Sequence, residues 1–236
     1  MKMLALDTSS IVATVAILDE DKLVGEYILN HKKTHSQKLM PMIEDILKSC
    51  ELTPKDIDVF AVALGPGSFT GLRIGLATIK AMAQALEKPV IGVSTLEALT
   101  YNLPYAKELV CPILDAQRDL VYTGLYQWQQ GEFIKVMEEE VVTIEALLEN
   151  LKTRGEKVIF LGDALEKFRG VILQELKENA IIPPAIVRMP RASSVAELAS
   201  RRRRAGNLQK ASEVLPIYMR KSQAENQWEE RMNKGK

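Results

Sequence analysis

The chain has 236 residues, 47% of them hydrophobic and 26% charged, with 31 basic against 31 acidic side chains. That length is ample to bury a core in one large or two small domains. The even charge balance excludes a global field for nucleic acid or membrane, so any such contact must be local. No apolar run approaches a membrane span. The opening "MKMLALDTSS" has neither the apolar core nor the small-residue cleavage site of a secretory signal. Cys50 and Cys111 stand in no metal or redox spacing. The expectation is a cytoplasmic protein with buried, reduced thiols.

In chain order, apolar residues first recur as in strands: "MLALD", "VATVAIL", "KLVGEYIL". A helix follows from Thr34 or Ser36 through Leu39, Ile43, Ile46, Leu47 and Cys50, with Pro41 near its first turns. Next come the strand "DVFAVAL", a glycine loop, a helix over 71–86, the strand "PVIGVS" and a short helix in "TLEALTYNL". Then the pattern restarts. "LVCPILDAQRDLVYTGLYQW" repeats the apolar run, strand-end aspartate, polar turn and outgoing strand of "MKMLALDTSSIVATVAIL", with Asp115 in the place of Asp7. "EFIKVMEEEVV" supplies the third strand that "KLVGEYIL" supplies in the first copy. Helices recur in "TIEALLENLKT", "GVILQELKEN" and "SSVAELASRRRRAGNLQKA", around a short strand "KVIFLG".

An internal duplication of this kind predicts an α/β chain with the actin-like ATPase (ASKHA, RNase H-like) fold and two duplicated subdomains. The predicted divisions are 1–102, 103–220 with a helix over 193–206 able to pack back on the first half, and a polar tail, 221–236. Proteins of this fold clamp a nucleotide's phosphates between two halves, with the two aspartates near the metal. One function class is therefore an active ATPase or small-molecule kinase using Asp7 and the glycine loop. Fold alone does not decide it.

The site residues argue the other way. In "ALGPGSFTGLRIGL" a phosphate loop would need Lys and Ser or Thr after Gly71, but Leu72 and Arg73 follow, and Pro66 removes a donor. Gly65, Gly67 and Gly71 are spaced one residue too widely for a dinucleotide loop. The loop reads first as a tight strand-to-helix turn. Asp7, Thr8, Ser9, Gly67 and Ser68 remain as vestigial phosphate or metal candidates, since a helix N-terminus also holds anions. The turns "DTSS" and "DAQRD" carry no glycine, and "VIFLGDA" has a single one, Gly162. His31 and His35, in "HKKTH", lack a third ligand and a general base, so no metal is expected. No nucleophile elbow exists, and no cofactor or catalytic residue is assigned. Arg201–Arg204 point all round their helix: a solvated face, or a local RNA contact. With Val195, Leu198 and Ala199 inward, Arg202 falls on the buried side and needs a partner.

The helix over 71–86 carries two apolar stripes. Leu72, Leu76, Ile79, Ala83 and Leu86 suit a core beneath it; Ile74, Thr78, Ala81, Met82 and Ala85 lie on another side. A helix apolar nearly all round is either sandwiched within its own chain or covered by a partner. Gly71, Gly75 and Thr78 would admit a closely packed second helix, and Met40 and Met42 widen the apolar arc of the preceding one. The predicted partner face is Leu39, Met42, Ile46, Gly71, Ile74, Gly75, Thr78 and Met82.

The stretches "LALDTSSIVATVAIL", "THSQKLMPMIEDIL", "VALGPGSFTGLRIGLATIKAMAQAL", "GVSTLEAL", "LDAQRDLVYTGLY" and "PIYMR" together resemble the bacterial TsaB (YeaZ) family over essentially the whole chain. The resemblance implies the actin-like fold and a non-catalytic dimerisation subunit for N6-threonylcarbamoyladenosine in tRNA, at the adenosine beside the anticodon. It implies a heterodimer with the catalytic relative TsaD through the two helices just described, a larger complex with the ATPase TsaE, a homodimer in isolation, and only indirect tRNA association. In TsaD an Asn-His-Leu-Glu-Ala-His segment holds a metal. Here the matching residues are Ser94, Thr95, Leu96, Glu97, Ala98 and Leu99, so both ligands are replaced.

Overall fold

A computed structural model describes residues 1–31 and 35–220; the predicted tail 221–236 and Thr34 lie outside the described residues. β1 (Lys2–Asp7), β2 (Val12–Asp19) and β3 (Lys22–Asn30) form an antiparallel meander. α1 (His35–Ser49) leads to β4 (Val59–Ala63), α2 (Phe69–Ala85) to β5 (Val90–Val93), and both strands add in parallel, giving the order β3-β2-β1-β4-β5. α3 (Thr95–Thr100) crosses into the second half. There β6 (Leu109–Asp115), β7 (Leu120–Gln129) and β8 (Glu132–Thr143) repeat the meander. α4 (Ile144–Arg154), β9 (Val158–Leu161), α5 (Ala164–Leu176) and β10 (Ala180–Ile181) complete the order β8-β7-β6-β9-β10. The two orders are the same unit twice, and this duplicated sheet is the actin-like fold. Asp7 and Asp115 end the equivalent strands β1 and β6.

The strands read as continuous apolar runs because both faces of the first sheet are covered. Strand alternation sends Leu4 and Leu6 of β1 to the core beneath α1 and α2, and Met3 and Ala5 to a second core. That second core is roofed by α6 (Ala192–Arg204), whose Ala192, Val195, Ala196 and Ala199 bring the helix close to the sheet. The last helix thus returns to the first half, anchored where the Ala192 amide donates to Thr14 Oγ1 at 3.1 Å. Arg202 finds the partner its position demands: it donates to Gly92 O at 2.7 Å and to Glu97 Oε2 at 2.6 Å. Arg201 stacks over Tyr101 and Trp128, each ring 5.4 Å away. Of the four arginines Arg204 is exposed, and Arg201, Arg202 and Arg203 are half-buried.

Between the halves, Leu96 and Leu99 of α3 pack on Val110, Leu114, Tyr126 and Leu161. Tyr126 and Ser94 both donate to Glu139, which ties β7, β8 and the start of α3 together. Two local expectations are corrected. Pro41 lies inside α1, past its first turn. α2 begins at Phe69, two residues before Gly71, because the Ser68 hydroxyl accepts from the Gly71 amide as N-cap.

Candidate functional site

The carboxyl ends of β1 and β4 face those of β6 and β9 across a cleft of about 940 Å³. In parallel sheets this is where ligands are held. The first lip is the turn after β1 with the Pro66–Arg73 segment; the second is the turn from Leu114 to Arg118 with Asp163.

On the first lip, the hydroxyls the sequence offers to a phosphate are engaged within the chain, while Asp7 Oδ2 is buried with no hydrogen-bond partner among the described residues. Asp7, 1% exposed, accepts from the Ser9 amide at 2.7 Å and the Ser9 hydroxyl at 2.6 Å through Oδ1. Burial pushes its carboxyl above the ordinary range, against the opposing pull of those bonds. Thr8 Oγ1 donates to Gly71 O at 2.8 Å. Ser10 Oγ accepts from the Val12 amide at 3.1 Å. The Ser68 amide donates to Ser9 O at 2.6 Å, and Gly67 is pressed against that same carbonyl. His35 Nε2 lies 2.8 Å from Ser10 O, pinning the start of α1 to the turn. Among the described residues no three His, Cys, Asp or Glu side chains group as metal ligands.

On the second lip, Asp115 Oδ1 accepts from the Gln117 amide at 3.0 Å, the geometry of a turn residue. Its own amide donates to Asp163 Oδ1 at 3.0 Å. Burial pushes Asp163 up to about 6. Between about pH 4, where the unfolded carboxyl ionises, and about 6, the folded chain holds a proton the unfolded chain has released, so stability falls as pH rises through that window. Asp163→Asn keeps an acceptor for the Asp115 amide and removes the ionisation. It should raise stability at pH 7 by about 1–2 kcal/mol and flatten the profile between pH 4 and 6. Urea unfolding across that range checks this; parallel profiles for the two proteins would refute it.

The α1–α2 face is distributed differently from the sequence expectation. Leu39 (1% exposed), Met42 (9%) and Ile46 (0%) point into the chain's own core and are not available to a partner. Gly71 and Gly75 are buried against Thr8, so the close approach they permit is to β1's turn and not to a second helix. The outer face of α2 instead presents Thr70, Arg73, Ala77, Ala81 and Gln84, all exposed. Ile74, Thr78 and Met82 stand half-buried on its flank, and Met40 of α1 is 51% exposed.

The chain matches the family model described as "TsaD: tRNA N6-adenosine threonylcarbamoyltransferase" over residues 22–228. It is 37% identical, over 97% of its length and 98% of the relative's, to the tRNA threonylcarbamoyladenosine biosynthesis protein TsaB of Bacillus subtilis strain 168. The chain belongs to the TsaB family. The solved structure of YeaZ from Pseudomonas aeruginosa agrees in shape, with a TM-score of 0.75 at 29% identity, covering 92% of this chain and 99% of that one. A second structure, of an uncharacterized protein with similarity to peptidase YeaZ from the same organism, gives 0.78 at 28% identity over 93% and 99%.

In this TsaB-family chain Thr95 is fully buried, and Leu99, 1% exposed, packs between the halves. Phe69, Tyr218 and Arg220 are cleft residues that no sequence motif singles out. Tyr218 stacks on Phe69 with centroids 4.2 Å apart and accepts from Arg73 Nε at 3.0 Å, and Arg220 donates to Ala116 O. The one trace in the sequence is the stretch "PIYMR", an aromatic and a cation behind a proline, which otherwise carries only a family resemblance.

Proposed function

We propose that this chain serves the biosynthesis of tRNA threonylcarbamoyladenosine as a non-catalytic dimerisation subunit that binds and activates the transferase TsaD. The observation that carries the reading is the outer face of α2, where the small residues Thr70, Ala77 and Ala81 stand exposed beside Arg73 and Gln84, flanked by Ile74, Thr78 and Met82, and which the described residues leave open. Exposed small and aliphatic residues on a long helix suit a partner helix packed closely against it. Family membership supports the pathway. The engaged hydroxyls of the first lip and the apolar Leu99 support a role without chemistry. TsaE would join the heterodimer in a larger assembly, tRNA would be met through TsaD, and without TsaD the same face would pair two copies.

Light-scattering chromatography of the protein alone, with cognate TsaD, and with TsaD and TsaE tests this. The expected result is one heterodimer with TsaD and no ATP turnover by the protein alone. Failure to form a complex, together with turnover lost in Asp7→Ala, would establish the active ATPase or kinase instead.

A further inference from the structure

The segment 214–220 has no helix or strand of its own, yet it runs along the mouth of the cleft from one lip to the other. It begins beside α2, where Lys80 Nζ donates to Val214 O at 3.0 Å. The Ile217 amide donates to Leu64 O at 2.8 Å, and Ile217 O lies so close to Gly65 that a Cβ there would sit 2.5 Å from it. Tyr218 is held by Phe69 and Arg73 at the start of α2. Two residues on, Arg220 reaches the second lip and donates to Ala116 O, close enough to Tyr122 to oppose the rise that burial causes in its phenol pKa.

We infer that residues 214–220 are a clasp that fixes the aperture between the two halves. Two lobes joined along one edge open and close about it. Here the joined edge is the packing of α3 on β6 and β7, and the clasp lies along the cleft. It joins lips that belong to different lobes through one short run of backbone, so strain on either lip is transmitted to the other. The cleft is thereby held at one width, and the first turn of α2 is held with it. This inference does not depend on which partner covers α2 or on what enters the cleft.

The test is reciprocal. Arg220→Gln removes the hydrogen bond to the second lip, and Tyr218→Ala the ring contact and hydrogen bond to the first. Amide hydrogen exchange of the full chain is followed at 64–70 and at 116–120. With a clasp, each variant speeds exchange on the lip it does not touch by about tenfold or more, while β1 and β6 keep their protection. If each variant loosens only its own lip, or neither, the segment is local packing and the inference is overturned. Should Tyr218→Ala unfold the chain, the Arg220→Gln arm at 64–70 decides alone, since the hydrogen bond it removes is to Ala116 on the other lip.

Discussion

Alanine at position 71 should destabilise the protein by about 3 kcal/mol or more, although Gly71 lies inside α2, where alanine is intrinsically the better residue by up to about 1 kcal/mol. The packing decides against propensity. A Cβ on Gly71 would lie 2.0 Å from the Thr8 carbonyl oxygen, a backbone atom held in place by β1 and its turn. Relief requires moving α2 away from the sheet, which opens the core that Leu76, Ile79 and Ala83 help form. It also breaks the bond from Thr8 Oγ1 to Gly71 O. Gly170 supplies the control. It is also helical, in α5, but exposed, with nothing within 4 Å of an added Cβ. Gly170→Ala should therefore stabilise by about 0.5–1 kcal/mol. Urea unfolding of the two variants beside the parent checks both signs, and a tolerated Gly71→Ala would mean that α2 and β1 are less tightly fitted than described.

What could be read from the residues follows from what is periodic. The duplicated sheet was legible because β1 and β6 each run apolar into an aspartate and turn back, a pattern carried by neighbours in the chain. The core stripe of α2 was legible for the same reason: Leu72, Leu76, Ile79 and Ala83 are all buried. The direction from which a second body approaches was not. α1 has a broad apolar arc, and nothing local says which part of it meets the sheet, so Leu39, Met42 and Ile46 were placed on the wrong side. Gly71 and Gly75 announced a close approach correctly, but the approaching group is Thr8, 63 residues from Gly71 in sequence. The clasp was the least legible element. It has no periodicity, and its contact between Arg73 and Tyr218 spans 145 residues.

That revision of the face sharpens the test of the partner surface. Ala81→Glu should weaken association with TsaD about 100-fold or more, equivalent to about 2.7 kcal/mol, while leaving the free protein's stability within about 0.5 kcal/mol. Ala81 is exposed on α2, and glutamate is a good helix former, so the isolated fold loses nothing by the exchange. Within a helix pair the same side chain would be both too large for the close approach and an unpaired buried charge. Met82→Asp would strike the same interface, but Met82 also packs against the core, so its effect mixes binding with folding. Leu39→Ala would report folding alone. Leu173→Glu, at a residue 40% exposed on α5, gives the matched control on a face assigned no partner. Titration calorimetry of the variants against TsaD separates the cases: equal loss for Ala81→Glu and Leu173→Glu, or loss for neither, would remove α2 from the interface, whereas loss confined to Ala81→Glu would fix the contact on the row from Thr70 to Gln84.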